Sequence, residues 1–210
     1  MTLLRTHHED LLDALTQRVR VVTCDQAARL LGVDSEEARS ILESLERSSL
    51  ISLEARLIDF AGPAAEPLFS WRAGEHDPDF RICAYQLRNR SVSQQEVLLA
   101  LPAAKACRQF GGTRVRPRQS EWSHDVRMSD VWLRYRDALA DSSDLTWQSG
   151  DGIRSDGDAR LFCGRVPDAC LRNTAGRIVR IIEGGGRGYS RSKLEAMHRD
   201  FGAVAAWELW

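Results

Sequence analysis

Lysine is nearly missing from this chain. Of its 29 basic side chains only Lys105 and Lys193 are lysines and the remaining 27 are arginines, so a lysine at a chemically interesting position is not the default basic choice. No apolar run approaches the roughly 18 residues that a membrane-spanning helix needs. The opening stretch Met1 to Asp10 turns polar and acidic too soon for a signal peptide. The five cysteines (Cys24, Cys83, Cys107, Cys163 and Cys170) are scattered, odd in number and without a CxxC pair. That pattern argues against a disulfide framework or a zinc knuckle and for reduced thiols in a cytoplasm. Net charge is nearly absent as well, at −1, which by itself neither favours nor disfavours a nucleic-acid partner.

What is present is an ordinary globular composition, 43% hydrophobic and 28% charged, over 210 residues. This is enough chain for one large domain or two small ones. The charges are unevenly spread. Residues 81–118 hold eight basic side chains against Glu96 alone, while residues 1–72 hold eight basic and twelve acidic ones. The basic segment is either a surface suited to a polyanion or a solvated face neutralised by the acidic N-terminal part. These shifts divide the chain into residues 1–80, a basic connecting segment with a helix at 81–120, and residues 121–210.

In the first part, Leu11, Leu12, Leu15 and Val19 recur at helical spacing. Thr23 is placed to cap a short helix from Asp25 to Leu31, Gly32 ends it, and Asp34 or Ser35 caps a third helix reaching about Arg47. Two helices joined by a short glycine-containing turn are the helix-turn-helix pattern. A strand at Leu50 to Leu53 follows, with Leu57–Phe60 or Leu68–Trp71 available to return as a wing, so the order predicts a winged helix-turn-helix. Its third helix would present Arg39, Ser40 and Arg47, and its wing Arg56, to the bases and phosphates of double-stranded DNA. Arg88 and Arg90 extend the basic set. Arg114, Arg116 and Arg118 alternate after Gly111-Gly112, so on extended backbone they point the same way and track a phosphate chain. Against this reading stand Glu36 and Glu37 in the first turn of the third helix, which suit its dipole and repel phosphate.

The last part predicts a helix from Asp125 to Leu139. Strands follow at Leu145–Gln148, Val166–Leu171, Ile178–Glu183 and Val204–Leu209, with a helix from Ser190 to Phe201 before the last. The class is therefore α/β, or α+β over the whole chain. Asp168 stands at the start of one strand and Glu183 at the end of the next, an arrangement in which two carboxylates can share a hard divalent cation such as Mg²⁺. Gly184-Gly185-Gly186-Arg187-Gly188 lacks the GK[ST] ending of a nucleotide-binding loop, and reads as a flexible turn or a backbone contact to phosphate.

Pro167-Asp168 and Glu183 on neighbouring strands resemble the PD-(D/E)xK nuclease pattern. Together with the N-terminal helices, the stretch from His124 to Trp210 is similar to the replication-relaxation family of plasmid and mobile-element proteins. It includes the His124-headed helix, Trp147, Pro167-Asp168, Glu183-Gly184-Gly185, Tyr189 and Lys193. The resemblance implies a restriction-endonuclease-like sheet domain behind the winged helix, with Asp168, Glu183 and Lys193 as catalytic residues and Mg²⁺ on Asp168 and Glu183 if the site is active. The departure is at position 185, where the nuclease pattern requires lysine and this chain has glycine; Lys193 on the next helix is the candidate substitute. The expectation is a cytoplasmic, homodimeric DNA-binding regulator or accessory factor of replication or transcription with a silent nuclease-like domain. An active Mg²⁺-dependent endonuclease and a protein-interaction module are the alternatives.

Overall fold

The computed structural model describes residues 2–62, 64–112, 116–139 and 144–210, without the side chains of residues 2–6. The chain order is α1 (Thr2–Asp13), a π-helical turn (Ala14–Arg18), β1 (Val22–Thr23), α2 (Cys24–Leu31), α3 (Ser35–Arg47), β2 (Ile51–Phe60), β3 (Phe69–Trp71), α4 (Phe80–Arg88), β4 (Ser93–Pro102) and α5 (Ala104–Phe110). After a 3₁₀ turn (Gln119–Glu121) come α6 (Trp122–Leu139), β5 (Leu145–Ser149), α7 (Gly150–Ser155), a second 3₁₀ turn (Asp158–Phe162), β6 (Ala169–Asn173), β7 (Ile178–Glu183), α8 (Arg191–Gly202) and β8 (Ala206–Leu209). Helices combine with two sheets, so the class is mixed α and β as expected. No described helix is long and apolar enough to cross a membrane.

The chain folds into two compact units that are not consecutive in sequence. One joins Met1–Phe60 to Ser93–Asp137, the other Ala61–Val92 to Ala138–Trp210. The basic stretch 81–120 is thereby shared between them: α4 goes to the second unit, and β4 and α5 to the first. Helix α6, grouped by sequence with the last segment, belongs to the first unit as far as Asp137.

In the first unit, Thr23 and Gln26 form a reciprocal capping box at the start of α2, Thr23 Oγ1 accepting from Gln26 N and Gln26 Oε1 from Thr23 N. Gly32 closes the helix with φ +67°, a left-handed conformation that only glycine adopts cheaply. Asp34 then caps α3 through Glu37 N, and Ala38, Ile41, Leu42 and Leu45 form its buried face. Helix α6 is tied to α2 by polar side chains: Gln26 Nε2 donates to Val126 O, Arg29 to Asp130, and Arg136 to Leu30 O. Gly112 passes so close to Thr16 O of the π turn that no Cβ would fit there.

The wing differs from expectation. Leu57–Phe60 does not turn back; it continues β2 as one ten-residue strand. The returning partner is β4, antiparallel from Ile51↔Pro102 to Phe60↔Ser93, in a three-stranded sheet of order β1-β4-β2. The physical cause is the core under the hairpin, where Val21, Ile58, Leu99, Leu101 and Val126 are buried together with Phe60, Val97 and Trp122 against them. The other candidate, Leu68–Trp71, supplies β3 and pairs with β8 in the second unit, Phe69↔Leu209 and Trp71↔Trp207.

The second sheet has the order β3-β8-β7-β6-β5. Strands β5, β6 and β7 form an antiparallel meander, and α8 crosses over to place β8 parallel to β7. One core holds this unit: Trp71, Phe80, Leu87, Ile153, Phe162, Cys170, Ile181, Leu194, Met197, Phe201, Trp207 and Leu209 are buried in a single cluster. His198 is wedged into it edge-on to Trp71. Its Nδ1 accepts from Trp207 Nε1 at 3.0 Å, which leaves Nε2 to carry the hydrogen facing Asp77 at 3.1 Å.

Candidate functional site

Register brings the two expected carboxylates together. Ala169 pairs with Ile182, so Asp168 and Glu183 are the next opposed residues, just beyond the end of the β6–β7 ladder. Glu183 holds the Asp168 backbone, and Asp168 holds the backbone of the residue after Glu183. Glu183 Oε2 accepts from Asp168 N at 3.3 Å, and Asp168 Oδ2 accepts from Gly184 N at 2.8 Å. Glu183 is buried at 7% exposure, and its second oxygen accepts the Tyr189 hydroxyl at 2.7 Å. Burial, then the charge of Glu183, pushes the Tyr189 phenol far above its ordinary value, so it stays a donor.

Lys193 completes the cluster. Ser190 caps α8 by accepting from Lys193 N at 3.2 Å. This sets the lysine one turn into the helix, with Nζ 3.4 Å from the centre of the Tyr189 ring. Burial lowers the Lys193 pKa, Glu183 and Asp168 act to raise it, and Arg165 acts to lower it. Arg165 in turn pairs with Asp200 at 3.2 Å. The three expected catalytic residues therefore converge, and Tyr189 sits between the lysine and the glutamate. Among the described residues no group of three His, Cys, Asp or Glu side chains is disposed to hold a metal ion.

A side chain at position 185 would meet the Leu87 side chain. A Cβ on Gly185 would lie 2.5 Å from Leu87 Cδ2 and 3.1 Å from Trp210 O. Gly185 N also donates to Trp210 O at 2.7 Å, and Arg90 donates to Gly185 O at 3.3 Å. The position at which the expected pattern calls for lysine is a point of close packing between α4 and the chain just after β7.

The expected DNA-contacting residues are divided between the two units. Arg39, Ser40 and Arg47 are exposed on α3. Arg39 lies against the Cys24 thiol, whose pKa is raised chiefly by burial, and Arg47 Nε donates to Glu43 O at 3.3 Å. Arg56 is half-buried, paired with Glu54 and stacked 4.5 Å over Trp122; the same carboxylate takes Arg116 at 2.6 Å. Arg118 is exposed and its backbone N–H donates to Glu121. Arg88 is exposed on α4, whereas Arg90 is half-buried and burial lowers its pKa. Arg114 lies outside the described residues.

Sequence reasoning missed a buried ion pair elsewhere in the same sheet. Glu208, at 3% exposure, pairs with Arg180 on the neighbouring strand and also accepts from Ser70 Oγ and Trp210 Nε1. The only signal was a charged residue inside the apolar run Trp207 to Trp210. No protein-family model, curated protein or solved structure matches the chain, so its own geometry carries the functional reading.

Proposed function

We propose that this chain is a DNA-binding protein, a regulator or accessory factor of the replication-relaxation kind, whose nuclease-like unit is silent. The first unit is read as a winged helix: the order α1, β1, α2, α3, β2, β4 and the sheet order β1-β4-β2 support this. Here the hairpin of the wing carries the segment 61–92 as an insertion. The second unit is read as a nuclease-like sheet, supported by the meander β5-β6-β7 followed by a crossover helix and a parallel strand.

The observation that carries the silent reading is the clasp between Asp168 and Glu183. Both Glu183 oxygens accept protein hydrogens, one Asp168 oxygen accepts Gly184 N, and the amine of Lys193 supplies positive charge nearby. A donor set spent on protein hydrogens, beside a built-in cation, fits a structural lock better than resident Mg²⁺, which demands near-ideal oxygen coordination. The second reading, an active Mg²⁺-dependent endonuclease, draws on one observation: Lys193 arrives from α8 beside the two carboxylates whose usual lysine is absent. The experiment is a plasmid binding and nicking assay with and without Mg²⁺, on wild type and Asp168→Asn. Binding with no nicking supports the proposal; Mg²⁺-dependent nicking lost in Asp168→Asn replaces it with the second reading.

A further inference from the structure

Helix α4 lies within the segment that interrupts the β2–β4 hairpin. One of its faces is core: Phe80, Cys83, Ala84 and Leu87 are buried. Arg81, Ile82, Tyr85 and Arg88 are exposed, and at 100° per residue they fall within an arc of about 120° on the opposite side. Ile82 and Tyr85 are 49% and 69% exposed, two of the four large hydrophobic side chains on the surface among the described residues. Tyr85 is a direct helical neighbour of Arg81, Ile82 and Arg88. The two guanidinium groups therefore bracket an aromatic ring, and their helix positions are about 10 Å apart along the axis.

The acids near this face are Asp79, Glu195 and, just before the helix, Asp77, which faces His198 at 3.1 Å. Asp79 caps the helix by accepting from Arg81 N and Ile82 N, and Glu195 on α8 pairs with Arg191 at 2.7 Å. Helix α3 has the opposite balance, with Glu36, Glu37, Glu43 and Glu46 against Arg39 and Arg47.

We propose that the exposed face of α4 binds single-stranded nucleic acid, with Tyr85 stacking on a base and Arg81 and Arg88 pairing with the phosphates on either side. Charge complementarity selects a polyanion, and the ring selects which one. In a duplex the base faces are already stacked, and an acidic peptide offers the ring no planar partner, whereas an unpaired strand offers both a π-face and phosphates. Ile82 extends the apolar surface beside the ring. This inference rests on the nucleic-acid reading above but concerns a different helix in a different unit.

Fluorescence anisotropy on the full chain tests it, using labelled oligo-dT, a labelled duplex of the same length and polyglutamate as probes. Tyr85→Ala is expected to weaken oligo-dT binding at least about fivefold, with Tyr85→Phe close to wild type, as base–aromatic stacking requires. Arg81→Ala with Arg88→Ala is expected to weaken binding and flatten its salt dependence. Oligo-dT binding unchanged in both Tyr85→Ala and the double variant overturns the proposal while leaving DNA binding through α3 standing. Equal binding of polyglutamate, independent of Tyr85, also overturns it. Failure of wild type to bind either oligo-dT or duplex at low salt removes this proposal and the DNA-binding function together.

Discussion

Leu87 occupies the space that a side chain at Gly185 would need. Its Cδ2 lies 2.5 Å from where a Cβ on that glycine would stand. A side chain at position 185, where the expected pattern calls for lysine, therefore needs this buried leucine of α4 to move.

Gly185→Ala is accordingly expected to destabilise the fold by about 1–3 kcal/mol, the usual cost of overpacking a well-filled site. Gly185→Lys should cost more and gain no nicking activity. Urea denaturation of the two variants checks the ranking. A neutral Gly185→Ala would show that Leu87 moves aside freely.

Tyr189→Phe removes the hydroxyl that donates to the buried Glu183 carboxylate, a loss of about 1–3 kcal/mol. It also changes the response to alkali. The phenol pKa is raised in the fold by burial and then by Glu183, so the folded protein keeps a proton that the unfolded chain loses near pH 10. Its contribution is full below that pH and declines as pH climbs from there toward the raised folded value. Urea midpoints between pH 8 and 11 are expected to fall more steeply for wild type than for Tyr189→Phe. Parallel curves would separate Tyr189 from the alkaline response.

Glu208 and Arg180 behave as a unit. Glu208→Ala removes the buried carboxylate shared by Arg180, Ser70 and Trp210 and should cost about 3–5 kcal/mol, whereas replacing both Glu208 and Arg180 by methionine should cost far less. A double-mutant cycle measures the difference as a coupling energy. Additive losses would mean that Ser70 and Trp210, not Arg180, satisfy the carboxylate.

Local features of the fold were legible in the sequence, and long-range ones were not. The caps Thr23 and Asp34, the stop at Gly32 and the strand Ile178–Glu183 depend on residues within a few positions of one another, and they stand where the spacing predicts. Strand β4 was missed because Val97 to Leu101 sits inside a stretch conspicuous for its arginines. The placement of Phe69–Trp71 was unreadable because its partner β8 lies about 140 residues later. Asp168 and Glu183 could be named from residue type and strand position, and Lys193 from the resemblance and the scarcity of lysine. What surrounds them could not: the Tyr189 donor, the Arg165 cation and the Leu87 wall reach the site only through the fold. The arginines show the same limit, since Arg56 and Arg116 share Glu54 and Arg90 serves the Gly185 backbone.

As proposed, the protein binds DNA and does not cut it, and one plasmid experiment reads both properties at once. Supercoiled plasmid is incubated at low salt with wild type and with Asp168→Asn, with and without Mg²⁺, and both retardation and nicking are read from the same gel. The expected result is retardation of equal strength by both proteins, weakening with salt, and no nicked product in any lane. Nicking that requires Mg²⁺ and disappears in Asp168→Asn would contradict it.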